Sequence, residues 1–122
     1  MDKKILIVDD EPNILLSLDF IIQKAGYQAQ TAADGEEALE QIKQWQPDLV
    51  LLDVNMPKLD GFEVCQIVRE NPALSAVKII MLTAKGRQVE REKGLALGAD
   101  DYVSKPFSTQ EIIKKINDFL DE

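Results

Sequence analysis

A chain of 122 residues, 45% apolar and 30% charged, holds enough hydrophobic material for one compact domain; it is too short for two cores and unlike a disordered tail. Its 22 acidic residues against 14 basic ones leave a formal net charge of -8, which repels nucleic-acid phosphates and anionic lipid headgroups, so neither DNA nor membrane binding is expected. With 0 histidines the chain carries no Ser-His-Asp triad, no His-ligated zinc and no phosphohistidine of its own.

Short β-branched runs alternate with helical patterns throughout, which predicts βαβ units and a parallel sheet, with about five strands and as many helices. The first strand is predicted over Lys4 to Val8. Its apolar run stops at Asp9 and Asp10, too soon for a signal peptide or a membrane span, so a soluble cytoplasmic protein is expected. Asp10, Glu11 and Pro12 then open a helix, where a capping acid and an early proline are both favourable, and Ala25 and Gly26 close it. The second strand is predicted over Tyr27 to Ala32. Asp34 caps a helix that carries Ala38, Leu39, Ile42 and Trp45 on one face and stops before Pro47. Leu49 to Leu52 is the third strand. Asp60 caps the third helix, with Val64, Cys65, Ile67 and Val68 turned inward and Asn71 and Pro72 at its end. Cys65 is the single cysteine, expected as a buried, inert thiol in a chain without disulfides. The fourth strand is predicted over Val77 to Leu82. The fourth helix, around Gln88 to Leu97, is charge-rich and interrupted by Gly94, so little packing energy holds it. Asp101 to Ser104 is the fifth strand. Ser108 with Glu111 forms a capping box for the last helix, whose Ile112, Ile113, Ile116 and Leu120 make a core stripe. The first, third and fourth strands, rich in Ile, Leu and Val, belong at the centre, covered on both faces.

In an open parallel α/β sheet, ligands bind at the carboxyl ends of the strands, beside the point where strand order reverses. That rule collects Asp9 and Asp10 after the first strand, Asp53 after the third, Thr83 after the fourth and Lys105 after the fifth. Three carboxylates held close repel one another and raise their pKa values unless a cation sits among them. A hard, oxygen-seeking Mg²⁺ suits that set better than zinc. An Asp carboxylate is also a nucleophile in phosphoryl transfer, forming an acyl phosphate while a metal and a Lys neutralise the phosphoryl oxygens. Asp53, on the central strand between the acidic pair and Lys105, is the natural acceptor, and Thr83 can donate a hydroxyl hydrogen bond to one phosphoryl oxygen.

Ile7-Val8-Asp9-Asp10-Glu11, Asp53-Val54-Asn55-Met56-Pro57 with Asp60-Gly61, Thr83-Ala84 and Lys105-Pro106-Phe107 together resemble the receiver domain of bacterial two-component response regulators, over essentially residues 1–122. The resemblance implies a doubly wound five-stranded sheet in the order 2-1-3-4-5 flanked by five helices. It implies Asp53 as phosphoacceptor, Mg²⁺ held by Asp9, Asp10, Asp53 and the backbone carbonyl of Asn55, and Thr83 and Lys105 on the phosphoryl group. It also implies a cis peptide from Lys105 to Pro106 and Tyr102 as a switch aromatic, turning from exposed to buried as Thr83 is pulled inward. The phosphoryl donor would be a phosphohistidine on a separate sensor kinase or histidine phosphotransfer domain. Such a chain is a signalling domain with slow Mg²⁺-dependent self-phosphorylation and autodephosphorylation, not an enzyme.

Other classes fit less well. A hydrolase of the haloacid dehalogenase type needs a second Asp where Asn55 stands. A flavodoxin-like module needs a phosphate-cradling loop after the first strand, where Asp9, Asp10 and Glu11 would repel the phosphate. A degenerate scaffold would lack Asp53 or Lys105. The stretch from Thr83 through Ala99-Asp100-Asp101-Tyr102 to Phe107 is most similar to receivers of the winged-helix transcription-factor subfamily. That similarity implies a phosphorylation-dependent homodimer with Arg91 facing Glu111 and Asp101 facing Lys115 across the two-fold axis. The output would be a separate target protein or a domain following in a longer chain.

Overall fold

The computed structural model describes residues 3–84 and 88–120. Five strands, β1 (Lys4–Val8), β2 (Gln28–Ala32), β3 (Leu49–Asp53), β4 (Lys78–Ala84) and β5 (Asp101–Lys105), alternate with five helices, α1 (Pro12–Lys24), α2 (Gly35–Trp45), α3 (Gly61–Glu70), α4 (Gln88–Ala96) and α5 (Thr109–Leu120). All neighbouring strands pair in parallel, in the order β2-β1-β3-β4-β5, so strand order reverses between β1 and β3.

Successive side chains of a strand point to opposite faces, and the central strands carry unbroken apolar runs, Ile5 to Val8, Leu49 to Leu52 and Ile79 to Leu82, so they supply two cores at once. Leu6, Val8, Val50, Leu52, Ile79 and Met81 meet α2 and α3 through Ala38, Ile42, Val64, Cys65 and Val68. Ile5, Ile7, Leu49, Leu51, Ile80, Leu82 and Val103 meet α1 and α5 through Leu18, Ile22, Ile112 and Ile116. Of the stripe read for α5, Ile113 and Leu120 lie at its edge, partly buried. α4 buries only Gly94, whose missing side chain lets the helix lie on Met81.

Several boundaries differ from expectation. Tyr27 precedes β2, β3 runs on to Asp53, β4 begins at Lys78 and reaches Ala84, and β5 extends to Lys105. Ile67 does not face inward; it is 38% exposed, because Val64, Cys65 and Val68 already complete the inner stripe of α3. Neither Asp10 nor Glu11 caps α1 through its side chain. Glu11 is the N-cap residue without a side-chain hydrogen bond, and its N–H donates instead to Asp9 Oδ1 at 2.9 Å. Asp34 and Asp60 cap as read: Asp34 Oδ1 accepts from Glu37 N–H at 2.8 Å, and Asp60 makes a reciprocal box with Glu63. Of the box read for α5 one half is seen, Ser108 Oγ accepting from Glu111 N–H at 3.0 Å. Cys65 is buried and free, and burial pushes its thiol pKa up, away from reactivity.

At the amino ends of β4 and β5, Arg69 from the last turn of α3 ties three segments together. Its Nε donates to Gly98 O at 2.8 Å, Nη1 to Ser75 O at 2.9 Å and Val77 O at 2.7 Å, and Nη2 to Asp100 Oδ2 at 2.8 Å. Asp100 Oδ2 also accepts from Ile79 N–H at 2.8 Å.

Candidate functional site

The carboxyl ends of the strands form a cleft whose lining includes Asp10, Glu11, Asp53, Asn55, Lys105 and Phe107. Parallel pairing sets this up: β1 and β3 run side by side, so the residues that leave them, Asp9 and Asp53, emerge as neighbours. Asp9, Asp10 and Asp53 each bring a carboxylate oxygen within 4.8 Å of the others. Asp9 is fully buried, Asp53 is 4% exposed and Asp10 faces solvent. A group of hard oxygen donors converging from two strand ends can hold a metal ion, and hard divalent cations are the class it fits.

The ammonium of Lys105 reaches into the same acids. Its Nζ lies 2.9 Å from Asp9 Oδ2, 3.3 Å from Asp53 Oδ1 and 3.8 Å from Glu11 Oε1. Burial opposes the charge on Lys105, but Asp9 and Asp53 outweigh it and raise its pKa. One ammonium does not neutralise the whole set. Burial, and then the charge of Asp9, push the Asp53 carboxyl up to about 6, against the opposing pull of Lys105 and of the Asn55 N–H. Close by, Thr83 is 1% exposed, and its hydroxyl makes no hydrogen bond among the described residues. A buried polar atom left in that state is a recurring mark of a group reserved for a ligand.

Backbone contact fixes the acceptor strand end from the other side. Gly61 at the start of α3 donates its N–H to Val54 O at 2.9 Å, and a Cβ there would stand 2.3 Å from Asp53 O. No other residue lets α3 begin this close to Asp53.

The residues singled out in the sequence therefore divide. Asp9, Asp10, Asp53, Asn55 and Lys105 meet at one cleft, with Thr83 buried beside it, and the Lys105–Pro106 peptide is cis. Tyr102 is half-buried against the core, where an exposed ring was expected. Asp101 and Lys115 pair within one chain, Oδ2 to Nζ at 2.8 Å. Arg91 lies over the Tyr102 ring, its Cζ 5.2 Å from the centroid. Glu11 was read as part of the helix start and of the acidic run after the first strand but not as a site residue; it lines the cleft, 3.8 Å from Lys105 Nζ.

The family model for the response regulator receiver domain matches residues 5–117. The chain belongs to the response regulator receiver family. This receiver is 47% identical to the alkaline phosphatase synthesis transcriptional regulatory protein PhoP of Bacillus subtilis (strain 168), over 98% of this chain and 49% of that protein. It is 52% identical to the probable transcriptional regulator ycf27 of Cyanophora paradoxa, over 97% of this chain and 48% of that protein. The receiver thus spans about half the length of the curated relatives it matches. Among solved structures, a response regulator of Chloroflexus aurantiacus J-10-fl superposes with a TM-score of 0.95 at 38% identity, each chain covered completely. The chemotaxis protein CheY4 of Vibrio cholerae gives 0.92 at 35% identity, covering 98% of this receiver and 100% of CheY4. Phosphorylation-dependent two-component signalling is the activity of this family, and the receiver is a signalling domain. No helix among its described residues is long and apolar enough to cross a membrane.

Proposed function

We propose that Asp53 accepts a phosphoryl group from the phosphohistidine of a separate sensor kinase or histidine phosphotransfer domain. The observation that carries this reading is Asp53 itself. It is a buried carboxylate with its pKa raised to about 6, 3.3 Å from the Lys105 ammonium and near the Thr83 hydroxyl, which has no hydrogen-bond partner among the described residues. An Oδ of the ionised carboxylate attacks phosphorus, the P–N bond of the donor breaks, and the imidazole leaves with that electron pair and takes a proton from solvent. Asp9, Asp10, Asp53 and the Asn55 carbonyl would hold Mg²⁺, whose charge would offset that of the phosphoryl oxygens. Lys105 exchanges its carboxylate partners for a phosphoryl oxygen, and Thr83 donates its hydroxyl to another. Drawing Thr83 toward the phosphoryl group opens space behind it, and Tyr102 turns from its half-buried place into that space.

Residues 1–122 act as one receiver domain in the cytoplasm, with slow self-phosphorylation and autodephosphorylation and no substrate turnover of their own. The relatives named as transcriptional regulators are about twice as long, which supports a transcriptional output beyond this receiver, with no nucleic acid or membrane bound by the receiver itself. The face made by α4, β5 and α5 pairs two activated copies. Because Asp101 already holds Lys115 within the chain, Arg91 and Glu111 are the pair to cross the two-fold axis.

The test is intact mass after incubation with Mg²⁺ and a small phosphodonor. One phosphoryl adduct is expected on the wild type and none on Asp53→Asn, with both proteins folded; an adduct on the variant overturns the assignment. Sedimentation of the beryllofluoride-activated wild type, Arg91→Glu, Glu111→Arg and the double reversal tests the dimer. Association lost in each single variant and regained in the double is expected, and a wild type that stays monomeric removes it.

A further inference from the structure

Tyr102 sits where β4, β5 and α4 meet. In the β4–β5 register Met81 stands beside Tyr102 and Thr83 beside Ser104, so alternation puts all four on the face of the sheet that α4 covers. The backbone of Tyr102 is fastened: its N–H donates to Asp101 Oδ1 at 2.8 Å, and Asp101 Oδ2 pairs with Lys115 Nζ at 2.8 Å. The ring is held by different means. It packs partly on the core, and the guanidinium of Arg91, from α4, lies over it with Cζ 5.2 Å from the centroid. The Nε of that guanidinium is buried and makes no hydrogen bond among the described residues. An arginine donor out of water without an acceptor is costly, and the negative face of the ring is the compensation present at this place. α4 lacks the apolar stripe that seats the other helices, so a polar side chain laid on β5 matters more for its position.

We propose that Arg91 is a positioning residue for Tyr102: its guanidinium holds the ring in the half-buried place, so the ring turns inward only as the guanidinium releases it. The proposal rests on the Thr83–Tyr102 switch described above and adds a physical link from that switch to α4. Movement of the ring and loosening of α4 become one event.

The experiment uses Tyr27→Phe throughout, which leaves Tyr102 as the one tyrosine, labelled with ¹³C in its ring and followed by NMR without any phosphodonor. Arg91→Met keeps an aliphatic stem and deletes the charge, while Arg91→Lys keeps a cation able to lie on the ring. Arg91→Met is expected to move the Tyr102 signals part of the way toward those of the beryllofluoride-bound protein, a change of about two- to five-fold in the ratio of inward to outward ring. Arg91→Lys is expected to stay nearer the wild type, and a thermal melt of each sample establishes that it is folded. If Arg91→Met keeps the wild-type signals, or if Met and Lys shift them equally, while beryllofluoride still moves the ring of the parent, the role of Arg91 is overturned and the switch stands. If beryllofluoride moves no Tyr102 signal in the parent, the switch itself is wrong and the role of Arg91 falls with it.

Discussion

Two charged clusters stand at opposite ends of the same sheet, and their accounts differ. At the amino ends of β4 and β5, Arg69 meets one carboxylate, and its guanidinium donates to three backbone carbonyls besides. The Asp100 carboxylate there takes a backbone N–H as well as the guanidinium. At the carboxyl ends, among the described residues, three carboxylates with Glu11 nearby face one ammonium, and the Thr83 hydroxyl has no partner. A cluster whose groups satisfy each other holds chain segments in place. A cluster that leaves charge unbalanced and a hydroxyl unused is stable only with a contribution from outside, which is what a metal ion and a phosphoryl group bring.

Substitutions can break that contrast, and the satisfied end should respond most. Arg69→Met strands Asp100 and three carbonyls at a half-buried place, and a loss of about 2–4 kcal/mol in urea unfolding is expected. Asp53→Asn should act in the opposite direction. The Asp53 pKa is raised from 3.8 to about 6, so its favourable contribution is complete below 3.8 and is lost as pH rises through about 6. At pH 7–8 the variant escapes that penalty. A shift of this size corresponds to ~3 kcal/mol, and solvent reaching the cleft lowers the expected gain to about 1–2 kcal/mol. The wild type should also lose stability across pH 4–6.5 relative to the variant, and parallel pH curves for the two would contradict this account. Lys105→Met removes the one ammonium, yet the cost at pH 7 should be only about 1 kcal/mol, because Asp53 then keeps its proton to higher pH. Equal losses for Lys105→Met and Arg69→Met would erase the contrast. The smallest effect belongs to Thr83→Val, which replaces an unpartnered buried hydroxyl by a methyl and should stabilise the resting protein by about 0.5 kcal/mol while weakening phosphoryl retention.

The sequence disclosed the carboxyl end of the sheet more fully than the amino end. Asp9, Asp53 and Thr83 each stand at the carboxyl end of a strand that its own Ile, Leu and Val content makes recognisable, and Lys105 at the end of the fifth, so the topology of parallel sheets brought them together without knowledge of any contact. Arg69 gave no such signal. It reads as a basic residue in the last turn of a helix, and its partner Asp100 lies 31 residues on, in a turn after the weakest helix. Ile67 was misjudged for a local reason: at helical spacing it borders the buried stripe, and only the width of the sheet beneath decides on which side of that border it falls. Asp10 seemed a cap because it precedes Pro12, but Asp9 reached the Glu11 N–H first. The Arg91 contact with Tyr102 depends on the docking of α4, which follows no apolar pattern that a sequence displays.

The approach of Gly61 to Asp53 bears on how this receiver should tolerate change. A side chain at 61 cannot be absorbed by repacking, because the atom it would strike is the backbone oxygen of Asp53. In a library of single substitutions selected for signalling, position 61 should therefore be depleted about as severely as the acidic positions, although glycine offers no chemistry to the phosphoryl group. Exposed positions further along α3, such as Gln66 and Glu70, should accept most replacements. A residue that reads as inert in any list of reactive groups would then mark the boundary of what drift can do to the site.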